Sequence, residues 1–174
     1  MQRRSTRPHG RRGRLRASLA AVVVLLLTAL GACSRFDRVR YSRFVNLNPS
    51  GWEATEQCVF DLADDSAAFS DPAARYDMIV TVRHTTAFPY NNLWLKFEEL
   101  TRADTIVTTR QELSLTSPSG SWRGKGVQGI YEFSDTIRHG IMLFPGYTLS
   151  ITHDMPARTV PGLLDIGLTI ERCN

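Results

Sequence analysis

The sequence predicts an all-β fold, an antiparallel β-sandwich of immunoglobulin-like or jelly-roll-like arrangement, that follows a lipoprotein signal peptide. Apolar residues alternate with polar ones through most of the chain after Gly51, which places one side of each strand on a core. Turn-forming sequences such as Ser70-Asp71-Pro72 and Pro161-Gly162 separate these runs. About seven short strands at this spacing are typical of a β-sandwich.

The signal peptide is predicted from the first residues of the chain. Seven arginines and no acid lie between Arg3 and Arg16, an apolar run extends from Ala17 to Leu30, and Gly31-Ala32-Cys33 closes it. These are the parts of a lipoprotein signal peptide, and the run is shorter than the roughly 20 residues that cross a bilayer. We predict cleavage before Cys33, whose thiol then carries the lipid, with palmitate among the acyl chains. Residues 1–32 are therefore the signal peptide, 33–50 a lipid-attached linker and 51–174 the sandwich.

The strands of the sandwich are predicted from apolar residues spaced by two. Their inward positions are Cys58, Phe60 and Leu62; Tyr76, Met78, Val80 and Val82; Leu93, Leu95 and Phe97; Leu113 and Leu115; Tyr147, Leu149 and Ile151; and Leu164, Ile166, Leu168 and Ile170. Helix is expected to be minor, one turn around residues 128–133.

The charge of the chain changes sign when the signal peptide is removed. The formal net charge of +4 comes from 21 basic and 17 acidic residues, so loss of the seven signal arginines leaves 14 basic residues and a net charge of −3. Nucleic-acid binding therefore has no support. Arg35, Arg38, Arg40 and Arg43 remain near the lipid attachment point, where they either attract anionic headgroups or belong to a solvated tether.

Two cysteines remain once Cys33 carries the lipid. Cys58 lies in the first predicted strand and Cys173 at the end of the last, and an oxidising compartment would allow them to pair. Counting by twos, however, puts Cys58 on the inward face and Cys173 on the face opposite Ile170. The sequence leaves open a disulfide between them or two separate thiols.

No pattern of catalytic or metal-binding residues is present. The histidines of the mature chain, His84, His139 and His153, form no HExxH or paired-cysteine motif, and no Gly-rich phosphate loop joins a strand to a helix. His153-Asp154 lacks an accompanying nucleophile motif, and Asp64-Asp65 suits at most a weak calcium loop. We expect no enzymatic activity, no catalytic residue, no resident metal and no cofactor.

Three stretches combine aromatic residues with turn-forming ones: residues 88–95 (FPYNNLWL), 122–126 (WRGKG) and 161–167 (PGLLDIG). In order and spacing, together with the signal-peptide cysteine and the Gly51-Trp52 pair, they resemble the gliding motility lipoprotein GldH family of Bacteroidota. The similarity covers most of the mature chain and is strongest over residues 76–171.

The resemblance implies an envelope lipoprotein that is needed for the gliding apparatus and is linked to the type IX secretion machinery that moves adhesins. It implies no enzymatic activity and no cofactor. It implies membrane attachment through the N-terminal lipid, to the outer membrane, with the periplasmic or surface face left open. Protein partners in the cell envelope are expected.

Four residues of these stretches are candidates for partner binding: Tyr90, Trp94, Trp122 and Arg123. Tryptophan and arginine are enriched where proteins meet. Trp94 alternates out of phase with the leucines on either side, so it belongs to a strand buried on both faces or forms a surface contact. The main alternative function is a surface glycan-binding module, in which exposed Tyr90, Trp94 and Trp122 would supply a stacking platform.

Overall fold

The structure is a computed structural model that describes residues 38–63, 66–100 and 106–173. The predicted signal peptide, Cys33 and the Asp64-Asp65 pair lie outside these residues. Among the described residues, no helix has the length and apolar character that a membrane span requires. They contain eleven strands and one 3-10 helix at Ser66–Phe69. The strands are β1 Val39–Asn46, β2 Trp52–Glu53, β3 Cys58–Asp61, β4 Tyr76–Thr85, β5 Asn92–Leu100, β6 Ile106–Ser114, β7 Lys125–Val127, β8 Ile130–Ile141, β9 Thr148–His153, β10 Thr159–Val160 and β11 Leu163–Arg172.

Two antiparallel sheets pack as a sandwich. One has five strands in the order β1-β11-β4-β8-β7, the other has four in the order β3-β9-β5-β6, and β10 pairs separately with β2. The inward residues of the central strands, among them Val80, Val82, Leu95 and Phe97, are fully buried. The predicted all-β antiparallel sandwich is confirmed.

The last strand departs from simple alternation at its start. A register shift lies between Leu163 and Asp165 where β11 pairs with β4. Leu163 is therefore buried and Leu164 only half-buried, whereas the sequence predicted Leu164 as the inward residue. A bulge adds one residue to a strand and so reverses the faces on either side of it.

Strand β1 lies in the segment 33–50 for which the sequence predicted a linker. It pairs with β11 from Val39 to Asn46, and Tyr41 is buried in the core. The compact unit accordingly begins at Val39 rather than at Gly51. Arginines and a serine interrupt the apolar alternation of this edge strand, whose backbone pairing needs no hydrophobic pattern. Residues 33–37 lie outside the described part of the chain.

The helical turn predicted around residues 128–133 is wrong, because this segment joins β7 to β8 as a tight hairpin. Gln128 and Gly129 have φ values of 52° and 81°, and Val127 pairs directly with Ile130. Two consecutive residues with positive φ are the signature of a type I′ turn, the connection that suits the twist of a β-hairpin.

Candidate functional site

Aromatic side chains from separate elements meet at one end of the sandwich. His84 near the end of β4 lies 4.5 Å from Trp122, 5.6 Å from Phe88 and 5.6 Å from Tyr131, measured between ring centroids. Tyr90 contacts Phe88 at 5.6 Å. We call these five residues the aromatic end. Because they come from β4, β8 and two connecting loops, the cluster ties those segments together.

Gly162 allows two turns to touch at the aromatic end. Its φ is +81°, and a side-chain carbon there would overlap the backbone nitrogen of Phe88. The Gly162 carbonyl accepts a hydrogen bond from the Thr85 amide at 2.8 Å. Only glycine tolerates both this backbone conformation and this approach. The Pro161-Gly162 turn is thereby held against the turn that carries Phe88.

Residues 122–126 also use glycines to pack closely, here against β8. A side-chain carbon at Gly124 would overlap the carbonyl oxygen of Glu132 on β8, and Gly126 lies directly against the Tyr131 ring. Trp122 is half-buried, 5.9 Å from Tyr131. Residues 122–126 therefore lie flat on β8 and bring β7 alongside it.

After the Pro161-Gly162 turn, the rest of the 161–167 stretch begins β11 and contacts its neighbours on the outer face of the five-stranded sheet. The buried Asp165 carboxylate accepts a hydrogen bond from Arg83 Nε at 2.7 Å. The Arg83 guanidinium lies 4.8 Å above the Phe44 ring, and that ring covers Gly167. This stretch thus joins β1, β11 and β4, which is a structural role.

The predicted partner-binding residues separate into two groups. Tyr90 and Trp122 are half-buried and both contact Phe88, at 5.6 and 6.3 Å. Arg123 lies 4.9 Å above the Phe133 ring and donates to the Ser114 carbonyl at 3.0 Å. These three residues meet at or beside the aromatic end, where each makes contacts within the fold.

Trp94 lies on the outer face of the four-stranded sheet, away from that group. The Arg110 guanidinium covers its ring at 3.9 Å, and its backbone N–H donates to the Met155 sulfur at 3.3 Å. Within residues 38–63, 66–100 and 106–173, no ring contact joins Trp94 to Tyr90 or Trp122. The three aromatic residues therefore share no single stacking platform.

The cysteines that could have paired are free thiols. Cys58 is fully buried between the sheets, and burial raises the pKa of its thiol to about 12. Cys173 follows β11 with its Sγ 3.3 Å from Asp77 Oδ1, on the outer side of the five-stranded sheet. Of the two alternatives that the sequence left open, the structure has the separate thiols, and the two side chains lie on opposite faces as the spacing by twos indicated.

His153 and Asp154 do not form a catalytic pair. His153 is buried, its Nε2 lies 3.0 Å from the Trp52 carbonyl, and its ring contacts the Trp52 ring. Asp154 forms an ion pair with Arg110 instead. In the part of the chain that the structure describes, no three His, Cys, Asp or Glu residues are grouped to hold a metal ion.

His84 is fully buried at the centre of the aromatic end. Its Nδ1 lies 3.1 Å from the Thr85 carbonyl, so Nδ1 carries the proton. Its Nε2 is buried without a hydrogen-bond partner among the described residues. Desolvation lowers the His84 pKa from its ordinary 6.5, and burial lowers the pKa of His153 as well.

This pKa shift predicts a loss of stability in mild acid. Because the folded protein binds a proton at His84 less readily than the unfolded chain does, the free energy of unfolding decreases as the pH is lowered through 6.5. We expect the melting temperature, followed by circular dichroism, to drop between about pH 7 and about pH 5. His84→Phe should reduce the drop and the exposed His139→Gln should not; equal slopes in all three proteins would contradict the assignment.

Sequence reasoning missed two exposed apolar residues on the β7–β8 hairpin. Val127 is 71% exposed and Ile130 is 43% exposed, and they face each other across the Gln128-Gly129 turn. We call this pair the hairpin tip. The signal that marks it is a two-residue turn ending in glycine between apolar residues.

Comparison with known proteins identifies one family. The family model described as GldH lipoprotein matches residues 39–170, which extends from β1 into β11. No curated protein matches the chain. Two structures of the Tobacco streak virus coat protein align with 75% of this chain and 85% of theirs, at 8% and 10% identity and TM-scores of 0.29 and 0.26. Those TM-scores are too low to carry a conclusion.

Proposed function

This chain belongs to the GldH lipoprotein family, and from that membership we propose that it is a non-catalytic accessory protein of the gliding and type IX secretion machinery. Membership makes it a lipid-anchored protein of the cell envelope. The proposal adds the outer membrane as its location, Cys33 as the lipidated residue and a protein as its partner. It assigns the protein no reaction and no cofactor.

The observation that carries this proposal is the match of the family model to residues 39–170, and the three stretches that resemble the family meet at the aromatic end. Residues 88–95 supply Phe88 and Tyr90, and residues 122–126 supply Trp122. Gly162, from residues 161–167, packs directly against the Phe88 backbone. These contacts are made within the fold, so the stretches act as a scaffold. These stretches support the β7–β8 hairpin, which begins at Lys125.

The hairpin tip is the surface that we assign to the protein partner. Its base is fixed because Gly126 packs on the Tyr131 ring and Tyr131 stacks on His84 with an interplanar angle of 19°. A single exposed apolar residue is ordinary, but Val127 and Ile130 form a pair on a rigid support. A preorganised apolar contact loses little conformational entropy on binding.

Affinity capture from detergent-solubilised envelopes tests this assignment. Val127→Ser combined with Ile130→Ser removes the apolar pair and leaves the turn residues in place. We expect capture of the partner to fall at least about tenfold, which corresponds to about 1.4 kcal/mol. Met142→Ser, at a 63% exposed residue directly after β8, is the matched control and should capture normally.

Two results would count against the hairpin tip. One is full capture by the double variant while its melting temperature is unchanged. The other is a set of glycan-array signals that Trp94→Ala or Trp122→Ala abolishes, which would favour the glycan-binding module. We expect blank arrays, because the aromatic residues that a sugar would need are half-buried or covered by Arg110.

A further inference from the structure

One edge strand of the sandwich is longer and more regular than the other three sheet edges. The two large sheets end on β1, β7, β3 and β6. β3 has four residues, β7 has three, and β1 contains a register shift. β6 has nine residues that pair with β5 without any shift, and it contains no proline, glycine or lysine. Short strands, bulges and lysines are common protections of a sheet edge, and β6 has none of these three.

The hydrogen bonds of the sheet show which groups of β6 point outward. The Trp94 carbonyl accepts a hydrogen bond from the Asp154 amide just beyond β9. The backbone N–H and C=O groups of Trp94 therefore point toward β9, and those of Leu95 point toward β6. Leu95 pairs with Gln111, so the backbone N–H and C=O groups of Gln111 point toward β5. Because these directions alternate along an antiparallel strand, the N–H and C=O groups of Arg110 and Glu112 point away from the sheet.

We infer that β6 pairs antiparallel with β6 of a second copy of this chain, with the two-fold axis at Gln111. In this register Arg110 lies opposite Glu112 of the second copy, and Glu112 lies opposite its Arg110. Both outward-pointing residues then gain backbone hydrogen bonds and an opposite charge. The strand is complementary to itself, which is the requirement for a two-fold interface.

The neighbouring registers lack this complementarity. An axis at Arg110 places the two arginines opposite each other, and an axis at Glu112 does the same for the glutamates. Like charges directly opposite on a sheet are destabilising. An axis at Thr109 places both charges opposite uncharged residues. Only the register centred on Gln111 pairs every charge in the middle of the strand.

The charged side chains are already ordered for this contact. Arg110 stacks on the Trp94 ring and forms an ion pair with Asp154, and Glu112 accepts a hydrogen bond from Asn92. Little side-chain freedom remains to be lost on pairing. Lipid anchoring also confines copies to one membrane, which raises their effective concentration.

Cysteine cross-linking in the intact envelope tests the register. Gln111→Cys, in a Cys173→Ser background, places two cysteines at a non-hydrogen-bonded pair with Cα atoms about 4.5 Å apart, within disulfide range. We expect a reducible dimer on oxidation. Val107→Cys, on the same strand and face, is about 27 Å from its copy in this register and should stay monomeric. Absence of the dimer, or equal cross-linking at both positions, overturns the inference.

A charge exchange tests the same register with differently tagged copies. When both tagged copies carry Arg110→Glu, capture of one copy by the other should fall at least tenfold, because each new glutamate lies opposite Glu112. When both carry Glu112→Arg, capture should fall equally, because each new arginine lies opposite Arg110. Co-expression of the two variants should restore capture, since every pair is again opposite in charge. Restoration also shows that both variants fold. Capture that is unchanged by either single variant, or not restored by the mixture, contradicts the pairing.

Discussion

Replacing Cys33 with serine is expected to abolish lipid attachment and lipoprotein-type cleavage. The lipid is carried on the cysteine sulfur, and the peptidase cuts before the modified cysteine, so a serine there leaves the residues 1–32 in place. Mass spectrometry should show the uncut, unacylated chain. Detergent phase separation should show loss of the lipid-dependent partitioning.

Cys173→Ser is the matched control for that experiment. This substitution removes a cysteine that is not part of the signal peptide, so the variant protein should be cleaved and acylated normally. A Cys33→Ser protein with the mass and membrane partitioning of the wild type would rule out Cys33 as the lipidated residue.

Gly162→Ala is expected to destabilise the fold by about 3 kcal/mol or more. A left-handed conformation costs an L-residue about 1 to 2 kcal/mol, and relieving the overlap with the Phe88 backbone requires a shift that typically costs about 1 to 3 kcal/mol more. For a domain of this size the melting temperature should fall by roughly 10 °C. Thermal unfolding followed by circular dichroism measures it.

Gly120→Ala separates the two causes. Gly120 also has φ +81°, but a side-chain carbon there meets nothing within 4 Å. It should therefore lose only the conformational part, about 1 to 2 kcal/mol. Equal losses in the two variants would show that the contact between Gly162 and Phe88 contributes nothing.

The strands that carry the core were predictable because burial on one face imposes a period of two on their side chains. Val80 and Val82, like Leu95 and Phe97, lie where the alternation put them. β1 was not predictable in this way, since edge pairing is made by backbone groups and tolerates Arg40 and Arg43 within the strand. The same limit explains the bulge at Leu164, which depends on pairing with β4.

The candidate site was predictable in its segments but not in its surface. The sequence singled out the aromatic and glycine stretches, but not that Trp122 packs near Phe88 or that the exposed Arg123 lies over the Phe133 ring. Composition cannot show whether an aromatic residue faces a partner or its own core. The hairpin tip escaped notice because Gln128, which has a positive φ, is an uncommon residue for that conformation.

Deletion of the gene in an organism that glides and uses type IX secretion tests the central claim most directly. The measurement is gliding speed together with surface display of a type IX cargo, in the deletion strain and after complementation with the wild-type gene or with the Val127→Ser and Ile130→Ser double variant. The account predicts that deletion impairs gliding or display while other lipoproteins remain in place, and that only the wild-type gene restores it. A deletion strain with normal gliding and normal cargo display would contradict the account.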